Sequence, residues 1–139
     1  MGRVLTEATI ESLRDLWDAE RGQFPANQVR RVVVSDALVD TGASVLSLPT
    51  ATIQQLGLRP TFIRRFRSAI GPGQAQMFDP VRLTIQGRSC SVDVMEVPDG
   101  TPVLIGQIPL EQLDFVVDPK NQSLIGNPAH GGEQVMDLF

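Results

Sequence analysis

Apolar and polar residues alternate with a period of two at the start of the chain. In residues 3–11 this alternation includes several β-branched side chains and favours a strand. A helix would instead place Ile10, Leu13 and Trp17 on one face. We assign residues 3–11 to a strand and Leu13–Glu20 to a short helix or turn.

Short apolar runs bounded by glycine, proline and other turn residues continue to the C-terminus. They predict strands at 28–34, 37–39, 45–48, 62–68, 74–78, 81–86, 89–97, 103–106, 115–118, 123–125 and 134–139. Residues 35–36 are predicted to form a turn or bulge between the first two of these. Short helices are predicted from Pro49 to a stop at Gly57, and over residues 109–113.

Many short strands with one or two short helices predict a mostly β protein, either a small barrel or a folded sheet. No repeat, low-complexity tract or linker interrupts the sequence. We therefore expect one domain over residues 1–139, with 1–31 as an N-terminal extension. A length of 139 residues with 42% hydrophobic side chains is enough to bury a core.

The charge balance argues against nucleic acid as a general partner, because the chain carries a net charge of −4. One basic cluster departs from this balance and consists of Arg59, Arg64, Arg65 and Arg67. These arginines are either solvent-facing positions of a strand or a feature that biases a cleft toward acidic partners.

Single copies of cysteine and histidine limit the chemistry. With Cys90 alone the chain has no internal disulfide and no cysteine zinc site, which fits a reducing, cytoplasmic compartment. With His130 alone a histidine-rich metal site is excluded, and we expect His130 to lie in a surface loop. No metal or other cofactor is expected.

The sequence gives no sign of membrane insertion. It contains no apolar run long enough to span a bilayer and no apolar core of a signal peptide near the N-terminus. Residues 1–6 fit the short pattern for N-myristoylation, which matches often by chance.

The stretch with the clearest chemical content surrounds Asp40. The apolar run 37–39 carries this carboxylate toward the core, where an unpaired charge is costly. The small residues Thr41, Gly42, Ala43 and Ser44 follow it and let backbone N–H groups approach closely. An Asp-Thr-Gly triplet alone is weak evidence, because aspartate commonly begins a turn.

Two further features follow in order. A hairpin over residues 62–78 has a glycine-rich tip at Ile70, Gly71, Pro72 and Gly73. The apolar pair Leu104 and Ile105 then leads to Gly106 and a short helix. Together with Leu38-Val39-Asp40-Thr41-Gly42-Ala43-Ser44, this order from about residue 32 to 125 resembles the retropepsin-like (retroviral-type) aspartic peptidases, in their bacterial single-domain type.

The resemblance implies a retropepsin-like fold with a flap hairpin, and it implies a role for each matching residue. Asp40 would be catalytic, the Thr41 hydroxyl would hold the loop of a partner subunit, and Gly42 would donate its N–H to the carboxylate. The residues from Ile70 to Gly73 would form the flap, and those from Leu104 to Gly106 would brace the catalytic loop. Pro72 stiffens this flap, and its tip lacks the Trp or Tyr that could orient the carboxylates.

The chemistry itself requires a second carboxylate. One aspartate must act as a base on water while the other acts as an acid toward the substrate carbonyl. The chain has a single Asp-Thr-Gly triplet, so the second Asp40 must come from an identical chain across a two-fold axis. The prediction is a homodimeric aspartic endopeptidase that hydrolyses peptides or proteins without metal.

Two alternatives remain at this point. The first is a non-catalytic retropepsin-like module for dimerisation or peptide binding, because fold alone does not fix function. The second is an unrelated β domain with an accidental triplet, which would leave the downstream glycines unexplained.

Three finer expectations follow from the sequence and the resemblance. Ala43 cannot donate a hydrogen bond as a serine could, so activity should extend toward neutral pH. Apolar substrate pockets are expected to use Val39, Leu46, Ile70, Val103 and Ile105. By the resemblance, residues near 4–10 and 135–139 would pair with those of the partner to close the dimer.

Overall fold

The fold was analysed in a computed structural model that describes residues 3–135. Its elements are β1 (Leu5–Ser12), α1 (Leu13–Glu20), β2 (Arg31–Val39), β3 (Leu46–Pro49), α2 (Thr50–Leu56), β4 (Pro60–Ser68), β5 (Gly71–Ile85), β6 (Arg88–Val97), β7 (Leu104–Ile105), α3 (Gln107–Leu113), β8 (Phe115–Asp118) and β9 (Ser123–Gly126). Two 3₁₀ turns cover Ala26–Gln28 and Pro128–His130. None of the helices in this part of the chain is both long and apolar enough to cross a membrane.

Six strands close into a barrel. The sheet runs in the order β1-β2-β7-β3-β6-β5-β4, and β1 also pairs with β5, which joins its two sides. The pairs β2–β7 and β3–β6 are parallel, whereas the other pairs are antiparallel. Strand β4 pairs with β5 alone and so extends the sheet outside the barrel. The predicted mostly β fold is confirmed.

The alternation at the N-terminus produces the predicted strand. Ala8, Ile10 and Ser12 of β1 are buried inside the barrel, while the residues between them are more exposed. Ser12 then caps α1 by accepting a hydrogen bond from the backbone N–H of Asp15 at 3.2 Å. The helical interpretation at Ile10 is therefore wrong, and the helix begins at Leu13 as predicted.

The predicted interruption of β2 is a bulge. Thr6 of β1 faces Ala37, and Ala8 faces Val34, so residues 35 and 36 together oppose one residue of β1. The bulge lets β2 continue to Asp40 without losing its pairing. A second bulge in β5 joins the predicted strands 74–78 and 81–86 into one strand of 15 residues.

The barrel interior is filled by aliphatic side chains from every strand of the closed sheet. The most deeply buried include Ile10, Leu46, Leu48, Leu83, Ile85, Val94 and Ile105. Helix α2 adds Ile53 and Leu56 to this core and ends at Gly57, whose φ of +64° suits glycine.

The C-terminal residues differ from prediction. Residues 134 and 135 are not part of a strand, and residues 136–139 of the predicted edge strand lie outside the described residues. Residues 1 and 2 of the acylation pattern lie outside them as well.

The expectation of a surface loop for His130 is wrong. Its Nδ1 lies 2.6 Å from Asp114 Oδ2, and this oxygen also accepts a hydrogen bond from the N–H of Val135 at 3.0 Å. The hydrogen bond from His130 contributes most to holding the pKa of Asp114 below its ordinary value. Because the two side chains are 16 residues apart, local sequence patterns gave no sign of this pair.

Asp15 anchors α1 to the segment that enters β2. Its buried carboxylate accepts hydrogen bonds from the N–H of Arg30 at 3.0 Å, from Nε at 2.8 Å and from Nη2 at 2.9 Å. These bonds, chiefly the one from the side chain, lower the pKa of Asp15 despite its burial. A lowered pKa stabilises the fold above about pH 4, and this contribution is lost as the pH falls through the folded-state value.

We expect Asp15→Asn to lower the free energy of unfolding by about 1–3 kcal/mol at pH 7, because Arg30 loses a charged acceptor. The gap to the wild type should be smaller at pH 3 than at pH 7, because the lowered pKa makes folded Asp15 bind a proton less readily than the unfolded chain does. Urea denaturation at both pH values and equal protein concentration measures this. Asp18→Asn, which removes an exposed ion pair with Arg21, is the control and should cost less than about 1 kcal/mol. A gap that stays constant with pH would contradict the assignment.

Candidate active site

Asp40 lies where β2 leaves the barrel. Leu38 and Val39 pair with Leu104 and Ile105 of β7, and the N–H of Asp40 donates to the carbonyl of Ile105 at 3.0 Å. The backbone that carries the carboxylate is thus fixed by a buried neighbouring strand, while the Asp40 side chain is only half-buried. The apolar run leads this carboxylate to the rim of the core, and not into the core itself.

Residues 40–45, named here the Asp40 loop, fold back onto the carboxylate. The N–H of Gly42 donates to Asp40 Oδ1 at 3.0 Å, and the N–H of Ala43 donates to the Asp40 carbonyl at 3.1 Å. A Cβ on Gly42 would lie 3.3 Å from the same Oδ1, which is tighter than most such contacts. The small residues after Asp40 therefore place an N–H beside its side chain.

The junction between β7 and α3 grips the Asp40 loop from the other side. Gly106 N–H donates to the Val45 carbonyl at 3.0 Å, Gln107 N–H to Ala43 at 2.9 Å, and Ile108 N–H to Ser44 at 3.0 Å. The first N–H groups of a helix have no partner within the helix, so these loop carbonyls satisfy them. We name these three hydrogen bonds the loop clasp.

Gly106 permits this close approach. An added Cβ would lie 2.6 Å from Ser44 C, Val45 N and Val45 O, and these are backbone atoms that cannot rotate away. Leu104, Ile105 and Gly106 were expected to brace the loop. The N–H groups of Gln107 and Ile108 were missed because the helix was predicted to begin at Pro109, whereas it begins at Gln107.

The expectation of apolar pocket walls is wrong for Val39, Val103 and Ile105, which are core residues, whereas Leu46 belongs to the core and also lines a groove. Val39, Leu46, Val103 and Ile105 are at most 9% exposed and belong to the main hydrophobic cluster. Closure of the barrel turns these strand ends inward. Ile70, by contrast, is completely exposed.

The hairpin of β4 and β5 projects beyond the barrel, and its tip lies earlier than predicted. Ser68 pairs with Gly71, so Ala69 and Ile70 form the turn. Pro72 and Gly73 already belong to β5, opposite Arg67 and Phe66. The Phe66 ring covers Gly73, where a Cβ would lie 2.4 Å from its Cζ.

Within residues 3–135, Asp40 forms no ion pair, and no second carboxylate is hydrogen bonded to it. The neighbouring Thr41 is exposed, and its hydroxyl has no hydrogen-bond partner in this part of the chain. One copy of the chain therefore presents a single carboxylate beside an exposed hydroxyl.

A groove of about 410 Å³ begins at Val45 and Leu46 and reaches Arg64 of the hairpin. Its walls include Trp17 of α1 and Ile108 of α3, which are both about half exposed, as well as Asp93. Sequence reasoning did not assign Trp17 or Ile108 to any site. Their apolar surface beside a hairpin was not predictable without the packing of α1 against β5.

Comparison with known proteins gives one family match. A family model described as aspartyl protease matches residues 26–129. Among solved structures, the chain is similar to the protease of simian foamy virus (mac), a solution structure, at 19% identity and a TM-score of 0.48. That alignment covers 78% of this chain and 93% of the viral one. No curated protein sequence matches significantly.

We expect Gly106→Ala to lower the free energy of unfolding by about 2–3 kcal/mol, because its Cβ collides with backbone in the loop clasp. Gly22→Ala is the control. Gly22 has a φ of +75° with nothing within 4 Å of the added Cβ, so only backbone strain of about 1 kcal/mol is expected. Chemical denaturation of both variants provides the comparison. An equal or smaller effect at Gly106 would contradict the importance of the clasp.

Proposed function

Because the chain belongs to the aspartyl protease family, we propose that it is an aspartic endopeptidase in which two Asp40 carboxylates, one from each copy of a homodimer, activate a water molecule. The geometry of the Asp40 loop is the observation that carries the proposal. A carboxylate held by a buried strand, bonded to a loop N–H at 3.0 Å and flanked by clasped backbone is suited to a fixed catalytic geometry.

The reaction requires the two carboxylates to carry different protonation states. Two negative charges in contact repel, so the pair shares a proton and titrates as a unit. The ionised Asp40 takes a proton from water as the oxygen attacks the peptide carbonyl carbon, and the protonated Asp40 donates to the carbonyl oxygen. The Asp40 that took the proton from water then donates it to the amide nitrogen and the C–N bond breaks. The other Asp40 recovers a proton from a hydroxyl of the tetrahedral intermediate, and an acid and an amine leave.

A homodimer is proposed because the described part of one chain provides a single carboxylate at this loop. The exposed Thr41 hydroxyl beside Asp40 supports a contact with the same loop of a second copy. The barrel reduces the number of residues within 4–10 that could pair with a strand of a partner subunit. Residues 9–11 pair with both β2 and β5 within the chain, whereas residues 5–8 of β1 pair with β2 alone and have one free edge.

The hairpin is proposed as the flap over the substrate. Every residue of β4 is exposed, and the turn carries the fully exposed Ile70. An apolar side chain in that position favours contact with a bound peptide or with the second flap. Closure over the site would exclude water and strengthen the electrostatic interactions beneath it.

The cytoplasmic location stays a prediction from cysteine usage. Cys90 is half-buried, and burial raises the pKa of its thiol to about 11. The thiol is therefore protonated near neutral pH, and no role in the reaction is proposed for it.

We expect Asp40→Asn to reduce peptide cleavage by about 10²–10⁴-fold or more, because the amide cannot act as a base or share a proton. The test compares it with the wild type on a mixed peptide library, with cleavage read by mass spectrometry. Asp36→Asn, an exposed carboxylate in the β2 bulge, is the control and should retain activity.

Cleavage that persists in folded Asp40→Asn would refute the catalytic assignment. A wild type that is folded and dimeric but cleaves no peptide would instead be the non-catalytic peptide-binding module. Circular dichroism and sedimentation of each variant establish folding and dimerisation before the assay.

We expect the wild type to remain active toward neutral pH and Ala43→Ser to move the upper limb of the pH–rate profile to lower pH. A serine hydroxyl would donate to the ionised pair, favour its charged form and remove the shared proton at lower pH. The shift should be on the order of one pH unit. Wild-type activity confined to strongly acid pH, or an upper limb unchanged by the serine, would contradict this explanation.

A further inference from the structure

The flap hairpin is the basic part of an acidic protein. Residues 60–78 contain Arg64, Arg65 and Arg67 and no acidic residue, while the whole chain has a net charge of −4. None of these three arginines has a carboxylate within 4 Å in the described part of the chain. The arginines that do form ion pairs there are Arg14, Arg21, Arg30, Arg31 and Arg59. The positive charge of the hairpin is therefore left uncompensated.

Two of these arginines share one face of β4. Side chains at alternate positions of a strand point to the same face, so Arg65 and Arg67 lie side by side with their backbones about 6–7 Å apart. Their cross-strand neighbours are Gln74 and Pro72. Together with Phe66 and Gly73 these residues line an open concavity of about 690 Å³, and no acidic side chain contributes to it. We name Arg65, Arg67 and Gln74 the basic strip.

The third arginine lies on the opposite face. The Arg64 guanidinium is 5.4 Å from the centre of the Phe62 ring, a cation–π distance, and it lines the groove that also contains Asp93. Arg64 therefore has a cation–π partner and an acidic residue in its groove, whereas no acidic side chain lines the concavity of the basic strip. The unpartnered site is the strip.

Strand β4 also has a free edge. It pairs with β5 alone, so the backbone groups on its outer side are open to an added strand. An extended peptide has the same period of two as β4. Carboxylates at its alternate positions would recur at the spacing of Arg65 and Arg67, and cross-strand pairs of opposite charge are favourable.

We propose that the basic strip binds an extended peptide segment that carries Asp or Glu at alternate positions. This site recognises an acidic stretch, while Asp40 cuts the chain elsewhere. The binding stands without catalysis, whereas its consequence, a preference for protein substrates with an acidic stretch, rests on the proposed peptidase function.

Charge decides among possible occupants. A second copy of the same strip would bring guanidinium groups against one another and is disfavoured. A nucleic acid is longer than the strip, so its other phosphates would lie against the acidic surface of the rest of the protein and would be repelled. A short acidic peptide would contact only the basic hairpin, so the charge distribution favours a peptide as the occupant of the strip.

The test measures binding to the full chain carrying Asp40→Asn, so that cleavage does not interfere. The probes are two dye-labelled 12-residue peptides, one with four glutamates at alternate positions and one with glutamines in their place. Fluorescence anisotropy should detect the glutamate peptide only, with affinity that falls steeply as salt rises from 50 to about 500 mM.

The variant Arg65→Gln/Arg67→Gln should weaken binding of the glutamate peptide by about 3- to 10-fold. The control Arg82→Gln/Lys120→Gln removes the same amount of charge from exposed positions outside the hairpin and should leave binding unchanged. All four positions are exposed, and thermal denaturation checks that each variant remains folded.

Three results would each overturn the proposal. The first is an equal loss of affinity in the control variant, and the second is equal binding of the glutamine peptide. The third is a single-stranded oligonucleotide that binds the strip more tightly than the glutamate peptide does. Cleavage by the wild type separates the two claims. Strip-dependent binding without any cleavage refutes only the peptidase function. Cleavage together with loss of strip-dependent binding refutes only the strip.

Discussion

The arrangement around Asp40 depends on the loop clasp, in which three successive N–H groups at the start of α3 bind three carbonyls of the Asp40 loop. The clasp satisfies the hydrogen-bonding groups of two backbone segments at once. A helix begins with N–H groups that need acceptors, and a turn beside the core contains carbonyls that need donors. Gly106 is the condition for this solution, because any side chain there would collide with the backbone of Ser44 and Val45.

The barrel makes the clasp possible. Strand β7 has only two residues, yet it lies between β2 and β3 and fixes both the entry to the Asp40 loop and the exit from it. The carboxylate consequently lies at the edge of a rigid, closed core. The hairpin is different, since it leaves the barrel beyond the β5 bulge and exposes all of β4. One molecule thus combines an Asp40 loop held against the barrel with an external basic hairpin.

Local signals explain what the sequence predicted well. Alternation defined β1, residues 35–36 gave the bulge, and the apolar run before a small-residue turn located Asp40. Interactions between distant residues explain the errors. The closed barrel buries Val39 and Ile105 instead of leaving them as pocket walls, and His130 forms an ion pair with Asp114, which lies 16 residues earlier in the chain. The hairpin tip was misplaced because Gly71 and Pro72 resemble turn residues but pair with β4.

The central claim is that each active site contains two Asp40 carboxylates from different chains. Subunit mixing tests it most directly. Wild type and Asp40→Asn are combined in equal amounts, allowed to exchange, and assayed at the total concentration used for wild type alone. If every site needs both carboxylates, about a quarter of the dimers and hence about a quarter of the activity should remain. Retention of about half, the value for sites complete within one chain, would contradict the account.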